Sequence, residues 1–303
     1  MSKERIYAQL LDAGLNPDSI TQLIESAIAE DLDGGVDVTT VATVPAEQLS
    51  RLDLVARAPG VAAGIPVAAL VFEIVAADDG NPIDVDQLRA DGEPLTVGDA
   101  LISITGRTRD LLTAERTALN LLCHLSGVAT ATALWARAFA DAGSATRVRD
   151  TRKTTPLLRR LEKYAVRCGG GVNHRMSLSD AALVKDNHVV AAGGVAEAFA
   201  AVREQFPGVP VEVEVDSLEQ LDAVVAAGAD LVLLDNFTPD QMTQAVRRVR
   251  GRALLEASGG LTLSDAPAVA ATGVDYVAVG ALTHSAPVLD IGADLQSISP
   301  TSH

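Results

Sequence analysis

A repeated strand–helix unit in the second half of the chain restricts the fold more than any other feature. Short apolar segments, each ending in a polar residue or glycine, recur there, with helical patterns such as SLEQLDAVVAAG between several of them. With TRVRDTRK included there are about six, and the others are AALVK, VEVEV, LVLLD, ALLEA and YVAVG. From Asp235 to Glu256 and then to Gly280 the steps are 21 and 24 residues, as expected of successive βα units. The pattern fits both an open doubly wound sheet and a short barrel.

The residues that end these segments are the first candidates for a functional site. In both architectures ligands bind at the carboxyl ends of the parallel strands, where Lys185, Glu214, Asp235, Ser258 and Gly280 would converge. In VEVEV, alternation places Glu212 and Glu214 on one face. If this strand is central, both carboxylates must face a barrel mouth or pair with cations, because burying an unpaired charge is costly. The alternatives are a half-exposed strand, a solvated Lys185 and an Asp235 that only caps the next helix.

The first half of the chain has a different sequence pattern, which predicts a separate α+β domain. Segments such as RLDLVARAPG and ALISITGRTR alternate like short strands between turn signals. From Leu111 the apolar spacing becomes helical and nothing breaks it before Gly127, so a long helix or a helical hairpin bridges the two halves. We predict an N-terminal domain at residues 1–120, a site-bearing domain at 121–285 and a C-terminal segment at 286–303. After Leu295 the sequence is typical of a disordered tail.

Positive charge is concentrated in one stretch of an otherwise acidic protein. The formal net charge is -16, yet residues 147–188 contain ten of the 24 Lys and Arg and only four Asp or Glu, which gives them +6. Such a contrast indicates that this stretch receives an anion. The acidic remainder and an aromatic content of 3% argue against binding to nucleic acid or to a membrane. Because the sequence has no Cys-x-x-Cys motif and no run of about 18 apolar residues, we predict a cytoplasmic protein.

Two glycine-bearing turns indicate the kind of anion. SGG at residues 258–260 follows one predicted strand, and VGA at residues 279–281 follows the next. Turns of this kind, each opening toward a helix, can bind a terminal phosphate through main-chain N–H groups. GGG at residues 169–171 lacks the ending of a P-loop and is weaker evidence. Cys168 lies near His174 in sequence, but such a pair is more often incidental than a thiol nucleophile.

Six motifs, in order and at sensible spacing, resemble one enzyme family. They are LLTAERTALNLLCHLSG, RDTRKTTPLLRRLEKYAVRCGGGVNHRMSLSDAALVKDNHV, VEVEVDSLEQ, LLDNF, EASGGL and GVDYVAVGALTHS, and the resemblance extends from EDLDGGVDVTT near residue 30 to ALTHS near residue 285. The chain is similar to quinolinate phosphoribosyltransferase, also called carboxylating nicotinate-nucleotide pyrophosphorylase. One departure is Leu157, since the family usually has glycine after the proline of RKTxPG. This departure concerns the local turn and not the chemistry.

The resemblance implies a fold, a reaction and partners. The fold is an N-terminal α/β open-faced sandwich and a C-terminal incomplete parallel α/β barrel of six or seven strands, with the last residues returning to the first domain. The enzyme is a pentosyltransferase of NAD biosynthesis, which joins quinolinate to phosphoribosyl pyrophosphate and releases pyrophosphate and carbon dioxide to give nicotinate mononucleotide. Magnesium is the implied cofactor, and the implied partner is a second copy of the chain in a homodimer or a higher oligomer. Both substrates are polyanions, which explains the cationic stretch.

The resemblance also implies roles for individual residues. Lys153, Glu214 and Asp235 would be catalytic, and the two carboxylates would also bind magnesium, directly or indirectly. The quinolinate carboxylates would be held by Arg116 from the neighbouring subunit and by Arg152, His174, Arg175 and Lys185. The phosphoribosyl donor would be bound by Thr151, Lys153, Lys185, Glu214, Asp235, Ser258, Gly259, Gly260, Val279, Gly280, Ala281 and His284.

Three rival interpretations stay open at this point. A lyase on a βα barrel would use Lys185 as a Schiff-base amine, but it would leave the Arg and His cluster and the glycine turns unexplained. A related phosphoribosyltransferase would take a different acceptor without decarboxylation, since acceptor choice depends on pocket geometry. A non-catalytic protein would sense phosphoribosyl pyrophosphate or bind RNA through the basic stretch, although few aromatic residues accompany that stretch.

Overall fold

Two structural units make up the chain in the computed structural model, which describes residues 3–78 and 80–298. The first unit consists of Met1–Ala131, Arg160–Gly169 and Ala286–His303, and the second of Thr132–Arg159 and Gly170–Ser285. Each unit thus collects segments that are distant in sequence. The domain limits drawn from the sequence, at residues 120 and 285, stay a prediction.

Helices and strands cover most of the described residues. The strands are β1 (Leu49–Ala56), β2 (Gly60–Val61), β3 (Asp84–Gln87), β4 (Pro94–Leu95), β5 (Ala100–Arg107), β6 (Arg147–Arg149), β7 (Ala182–Val184), β8 (Val211–Val215), β9 (Leu231–Asp235), β10 (Leu254–Ser258), β11 (Tyr276–Ala278) and β12 (Ile291–Ser297). The helices are α1 (Lys3–Asp12), α2 (Pro17–Leu32), α3 (Val38–Thr43), α4 (Ile65–Asp78), α5 (Thr108–Asp141), α6 (Arg159–Cys168), α7 (Asp186–Ala192), α8 (Val195–Gln205), α9 (Leu218–Ala226), α10 (Pro239–Val249), α11 (Ala266–Ala270) and α12 (Ala281–His284), with a 3-10 turn at Leu263–Asp265. From β7 onward strands and helices alternate, as the repeated sequence unit predicts.

An antiparallel sheet and a buried helix form the core of the first unit. The sheet has the strand order β12-β1-β5-β3. Helix α4, with the sequence IPVAALVFEIVAAD, is apolar on all sides and almost all of its side chains are buried. It contacts β3 and β5 of the sheet as well as α1 and α2, which is the environment that such a helix requires. Helices packed on a sheet give the predicted α/β sandwich.

The last strand of the chain belongs to this first sheet. β12 pairs antiparallel with β1, from Ile291 opposite Ala56 to Ser297 opposite Ser50. The pairing continues two residues past Leu295 because β1 extends far enough to supply main-chain partners there. The remainder of the tail for which we predicted disorder, from Ser299 on, lies outside the described residues.

Six parallel strands in the second unit form an incomplete barrel. Their order is β6-β11-β10-β9-β8-β7, so each strand from β7 to β11 lies beside the next and β6 lies beside the last. Sequential neighbours with the first strand beside the last are typical of a βα barrel, whereas the strand order of a doubly wound sheet reverses. Among the described residues β6 and β7 do not pair, and Val172 forms a single parallel bridge to Arg149 of β6. The prediction of an incomplete barrel of six or seven strands is confirmed.

The barrel strands have an apolar face and a charged face. In β8, Val211, Val213 and Val215 are buried, and α8 and α9 contact this strand. Glu212 and Glu214 alternate with the valines and therefore point to the opposite face, inside the barrel. Positions in register on the neighbouring strands share that inner face, and they include Leu233 and Asp235 of β9 and Glu256 and Ser258 of β10. The charged side chains of these three strands therefore lie on the inner face of the barrel.

Helix α5 is one continuous helix of 34 residues rather than a helical hairpin. Gly127 in its interior is explained by packing, because a Cβ atom there would clash with the main-chain oxygen of Pro287. Among the described helices, α5 alone is long and apolar enough to cross a membrane by length and composition. However, 61% of its most apolar window is buried within the protein, which is typical of a core helix.

Candidate active site

The predicted substrate-binding residues surround the carboxyl ends of the barrel strands, an edge that we call the rim. They are Thr151, Arg152 and Lys153 after β6, Lys185 after β7, Glu214 in β8, Asp235 at the end of β9, Ser258 at the end of β10, and Val279 and Gly280 after β11. Parallel strands end at one edge, and Asp235 lies opposite Ser258 in the register. His174 and Arg175 come from the loop between α6 and β7. The fold thus brings to one rim residues that are more than a hundred positions apart in sequence.

Lys185 and Glu214 form an ion pair on the rim. Nζ of Lys185 donates to Oε2 of Glu214 at 2.9 Å, and the two side chains are 46% and 15% exposed. The pair satisfies the requirement that a carboxylate inside a parallel barrel finds a cation. Because a partly exposed ion pair has a small net energy, either partner can exchange it for a substrate group.

One strand step below the rim, Arg149, His174, Glu212 and Glu256 form an interior charge cluster. Nε2 of His174 donates to Oε2 of Glu212 at 2.6 Å and lies 3.6 Å from Oε1 of Glu256. Nη1 of Arg149 donates to Oε2 of Glu256 at 2.5 Å, and the guanidinium stacks over the ring of Tyr276. His174, Glu212 and Glu256 are all buried. The members of the cluster therefore hold one another in place.

The interior charge cluster contains a carboxyl group with an unusual pKa. Burial, and after it the charge of Glu212, raises the pKa of Glu256 to about 7, against the opposing effects of Arg149 and His174. One oxygen of Glu212 and one of Glu256 have no hydrogen-bond partner within the described part of the chain. Ligand atoms of His174, Glu212 and Glu256 lie within 4.8 Å of one another, a spacing compatible with a metal ion. The guanidinium of Arg149 already supplies a positive charge to this group.

Side chains hold the loop that carries His174 and Arg175. The buried carboxylate of Asp150 accepts the main-chain N–H of His174 at 2.9 Å. Nδ1 of His174 accepts the main-chain N–H of Arg175 at 2.7 Å. Asp180 accepts the next two main-chain N–H groups at 2.6 and 3.0 Å. Side chains thus bind four successive N–H groups, although the loop forms neither helix nor strand there.

Arg152 and Arg175 lie near enough on the rim for the charge of one guanidinium group to act on the other. Burial, and after it the positive charge of Arg152, lowers the pKa of Arg175. Nη1 of Arg175 donates to the main-chain oxygen of Ala181 at 3.0 Å. Nε of Arg152 is buried and has no hydrogen-bond partner among the described residues. Two neighbouring cations with a donor left over form a receptor for an anion that carries more than one carboxylate.

The turn after β10 approaches the turn after β9 closely. The main-chain N–H of Asn236 donates to the oxygen of Ser258 at 2.9 Å, and Nδ2 of Asn236 donates to Oδ2 of Asp235 at 2.7 Å. Gly259 has φ of +108°, and a Cβ atom on it would clash with Asn236. Gly260 also has a positive φ, +58°, with open space around it. Glycine is required at position 259 for both conformation and space.

Lys153 and His284 meet at Gly280. A Cβ atom on Gly280 would lie 3.1 Å from Cδ of Lys153 and 3.3 Å from Nε2 of His284. Oγ1 of Thr283 donates to the main-chain oxygen of Lys153 at 2.7 Å, which ties the segment after β6 to α12. α12 begins at Ala281. A lysine, an imidazole and a glycine turn at one strand end suit the binding of a phosphate group.

Arg116 belongs to the first unit. It lies on α5 and its side chain is 64% exposed. Nη2 lies 4.0 Å from Oε1 of Glu115, which is a weak local ion pair. The guanidinium group is thus accessible to a second molecule.

Leu157 occupies a position that favours glycine. Its φ is +69°, and the main-chain N–H of Leu158 donates to the oxygen of Thr155 at 3.1 Å. With Pro156 before it, this is a type II turn, whose third residue needs a positive φ. The departure from the RKTxPG pattern therefore leaves the turn in place with a strained residue.

Sequence reasoning missed three members of the site: the half-buried Arg149 and the buried Asp150 and Glu256. A signal was available for Glu256, because LLEAS places it two residues before Ser258, just as Glu212 stands two residues before Glu214. No comparable signal marks Asp150, whose role depends on a loop that returns to it 24 residues later.

An incomplete βα barrel with cations and carboxylates on its rim defines an α/β-barrel enzyme that acts on small anions. The chain belongs to the quinolinate phosphoribosyltransferase family, as the sequence motifs predicted. Residues 37–126 match the family description "Quinolinate phosphoribosyl transferase, N-terminal domain", and residues 128–294 match the corresponding C-terminal domain. The expected family and fold class are confirmed.

Curated relatives and solved structures agree with this assignment. The chain is 53% identical over 281 residues to the nicotinate-nucleotide pyrophosphorylase [carboxylating] of Mycobacterium leprae, covering 92% of this chain and 98% of that protein. It is 37% identical over 285 residues to the human protein of the same description, covering 93% of each. The crystal structure of NadC from Streptococcus pyogenes superposes with a TM-score of 0.88 at 40% identity, covering 94% of this chain and 99% of that one.

Proposed function

We propose that this protein transfers the phosphoribosyl group of phosphoribosyl pyrophosphate to quinolinate and decarboxylates the adduct to nicotinate mononucleotide. The observation that carries the proposal is the rim pair of Arg152 and Arg175, with a buried Nε–H on Arg152 that has no hydrogen-bond partner in the described part of the chain. The relatives named carboxylating nicotinate-nucleotide pyrophosphorylase, which match more than nine tenths of the chain, support the same reaction. A receptor for two carboxylates suits quinolinate, whose carboxylates are adjacent on a pyridine ring.

The cationic side of the rim binds quinolinate. Arg152 and Arg175 each present a planar fork of donors that matches a carboxylate in two-point geometry. Lys185 contributes a third positive charge and can leave Glu214 when a substrate carboxylate replaces it. Arg116 of a neighbouring subunit adds a fourth cation from outside the barrel. Lys153, which follows Arg152 in the chain, lies near the ring nitrogen or the departing pyrophosphate.

The acidic and glycine-rich side of the rim binds the phosphoribosyl donor. Glu214 and Asp235 share the inner face of adjacent strands, because Glu214 is in register with Leu233, two residues before Asp235. Their carboxylates accept hydrogen bonds from ribose hydroxyls. The 5′-phosphate lies against the turns of Ser258, Gly259 and Gly260 and of Val279, Gly280 and Ala281, with Thr151 and His284 nearby.

The charged residues of the site are opposite in sign to the charges that develop on the substrates during the reaction. The ring nitrogen of quinolinate attacks the anomeric carbon while pyrophosphate leaves, so positive charge develops on the ribose and negative charge on the leaving group. Glu214 and Asp235 stabilise the ribose side, and Lys153 stabilises the pyrophosphate. In the adduct, the positively charged pyridinium nitrogen stabilises the carbanion that loss of carbon dioxide leaves on the adjacent carbon, and a proton from water then takes the place of the lost carboxylate. The protein's contribution is therefore positioning and charge placement.

Glu214 and Asp235 fit a role in magnesium binding. Carboxylate oxygens are the ligands that this ion prefers, and it commonly keeps several waters while a substrate phosphate supplies further ligands. Oε2 of Glu214 is paired with Lys185, and it becomes available to the ion or to its waters when a substrate carboxylate takes the place of Glu214 beside Lys185. When bound, magnesium would neutralise charge on the pyrophosphate.

A shared site in a homodimer completes the proposal. Arg116 is exposed on α5 with a weak local partner, as expected of a residue that serves a neighbouring subunit. A cytoplasmic location agrees with two free cysteines, Cys123 and Cys168.

The direct test is the stoichiometry of the reaction. Purified protein is incubated with quinolinate, phosphoribosyl pyrophosphate and magnesium, and nicotinate mononucleotide and carbon dioxide are quantified together. Formation of both products in equal amounts, abolished by a magnesium chelator, is expected. Nicotinate, which lacks the carboxylate that is lost, serves as the control acceptor. Turnover of nicotinate without turnover of quinolinate would contradict the proposal.

A further inference from the structure

We infer that Asn236 is a positioning residue for the phosphoribosyl donor, whose side-chain amide orients the carboxylate of Asp235 beside the turn of residues 258–260. The inference deepens the proposed function and rests on it, because that function assigns Asp235 and this turn to the donor. Asn236 acts through Asp235 and not by contact with the substrate. Its contacts at the end of β9 and with the turn after β10 carry the inference.

The amide nitrogen of Asn236 fixes the orientation of the Asp235 carboxylate. Nδ2 donates to Oδ2 of Asp235 at 2.7 Å. Among the described residues, no other group donates a hydrogen bond to this carboxylate. Rotation about the last side-chain torsion of an aspartate is only weakly restricted by its own geometry. The bond from Asn236 therefore selects the orientation in which Asp235 meets the ribose hydroxyls.

The main chain holds Asn236 at a fixed place on the rim. Its N–H donates to the main-chain oxygen of Ser258 at 2.9 Å, which extends the pairing of β9 with β10 by one residue. Its φ is +57°, so the chain turns there. Phe237 is buried directly after it, and the hydroxyl of Thr238 accepts the main-chain N–H of Gln241 at 3.3 Å as the cap of α10. The side chain of Asn236 thus starts from a main chain that is anchored on both sides.

The same amide group lies beside the phosphate-binding turn. A Cβ atom on Gly259 would clash with Oδ1 and with the main-chain nitrogen of Asn236, so the amide occupies the space that glycine leaves open. The amide therefore lies between the Asp235 carboxylate and this turn. Because Asp235 is assigned to the ribose and the turn to the 5′-phosphate, the position of one amide group sets the spacing between two parts of the same substrate.

The residue type at position 236 follows from the need for a hydrogen-bond donor. A positive φ such as this one is tolerated by glycine, and among other residues best by asparagine and aspartate. Glycine would adopt the conformation with less strain but has no side chain to reach Asp235. An ionised aspartate has the shape of asparagine but no N–H, and its charge would repel Asp235. Asparagine alone among the three combines the conformation with a donor.

Two substitutions keep the turn and remove the donor. Asn236→Gly removes the whole side chain and Asn236→Asp replaces the donor by an acceptor, and both new residue types tolerate the positive φ. We expect Asn236→Gly to raise the KM for phosphoribosyl pyrophosphate about threefold to tenfold, as loss of one hydrogen bond to a charged group allows. Asn236→Asp should raise it at least as much, because like charges repel. The KM for quinolinate should change less than about twofold in both variants.

Arg250→Gly is the control for the main-chain conformation. Arg250 follows α10 with a φ of +52°, at the opposite end of the barrel from the rim, so glycine relieves a similar conformation there without altering the site. This variant should change neither KM. Equal increases of both KM values in Asn236→Gly would overturn the inference. So would a wild-type KM for phosphoribosyl pyrophosphate in Asn236→Gly or in Asn236→Asp.

A double-mutant cycle separates positioning from direct contact with the substrate. Calorimetry gives the Kd of phosphoribosyl pyrophosphate with magnesium for wild type, Asn236→Gly, Asp235→Ala and the double variant. If Asn236 acts through Asp235, Asn236→Gly raises the Kd about threefold to tenfold in the wild-type background but less than about 1.5-fold in the Asp235→Ala background. Equal factors in both backgrounds would overturn the inference. Wild-type protein that binds phosphoribosyl pyrophosphate but does not convert quinolinate would overturn the proposed reaction instead, and the cycle would still decide the role of Asn236.

Discussion

At Leu157 a leucine occupies a turn position that requires a positive φ. Its φ of +69° lies in the region where the Cβ atom of an L-residue crowds the main chain. The side chain is 90% exposed, so it gains little from packing. The turn keeps its geometry because Pro156 and the hydrogen bond from Leu158 to Thr155 define it.

We predict that Leu157→Gly stabilises the protein by about 0.5–1 kcal/mol, since glycine adopts the left-handed conformation without the Cβ contact. Urea denaturation of wild type and variant measures the change. Leu157→Ala is the matched control, because it removes the exposed side chain but keeps Cβ, and its effect should be close to zero. A stabilisation of equal size in both variants would assign the effect to the exposed leucine side chain and not to the backbone.

At the scale of elements, two adjacent turns use glycine for different reasons. A Cβ atom on Gly259 would clash with Asn236, whereas Gly260 has open space around it and only its φ of +58° favours glycine. The first glycine therefore permits the turns after β9 and β10 to approach each other. The second only eases a local conformation.

We predict that Gly259→Ala destabilises the protein by about 2 kcal/mol or more, because the main chain must move as well as adopt a strained φ. Gly260→Ala should cost about 1 kcal/mol from the backbone conformation alone. Thermal and urea denaturation of the pair provide the measurement. If both variants lost the same stability, the contact with Asn236 would not be the reason for glycine at position 259.

The barrel strands show which contacts could be predicted from the sequence and which could not. Alternation in VEVEV predicted that Glu212 and Glu214 would share one face and would point into a barrel mouth or pair with cations. Both face the inside of the barrel, where Glu214 pairs with Lys185 and Glu212 contacts the ring of His174. The period of the pattern is a local property, so the sequence contains it. The pairing of Arg149 with Glu256 depends on β6 closing against β11, which joins residues 107 positions apart. Such a contact is a property of the closed sheet and of no single segment.

The site residues also divide into those that a local sequence pattern indicates and those that depend on the folded barrel. Lys185, Asp235, Ser258 and Gly280 could be proposed from their places at strand ends, because parallel strands share an edge. The motif resemblance added the arginines and His174, but it could not show which way the imidazole points. That direction follows from the interior charge cluster, whose members come from β6, β8, β10 and the loop before β7.

At the scale of the whole molecule, a site shared between two subunits can be tested by complementation. Arg116→Ala and Lys153→Ala are co-expressed with different affinity tags, and the heterodimer is purified through both tags. If Arg116 serves the neighbouring barrel, one site of the heterodimer carries both substitutions and the other carries none, so about half of the wild-type activity is expected. The two mutant homodimers are the controls. A heterodimer no more active than these homodimers would place Arg116 and Lys153 in the same subunit's site.

The distribution of charge is also a property of the whole chain, since a cationic stretch stands in an otherwise acidic protein. Residues 147–188 carry +6 in a protein of net charge -16, and the barrel places Arg152, Arg175 and Lys185 from this stretch on one rim. We assign this positive charge to binding of the acceptor and the acidic, glycine-rich side of the rim to binding of the phosphoribosyl donor. The two substrates therefore depend on different residues of one rim.

The most direct test of this assignment is the pair of KM values of Arg175→Ala. Loss of a guanidinium that binds a carboxylate should raise the KM for quinolinate at least about tenfold, while the KM for phosphoribosyl pyrophosphate changes less than about threefold. Arg203→Ala, on α8 of the same unit, removes an equal charge away from the rim and should change neither value. Equal increases of both KM values in Arg175→Ala would contradict the division of the rim into an acceptor side and a donor side.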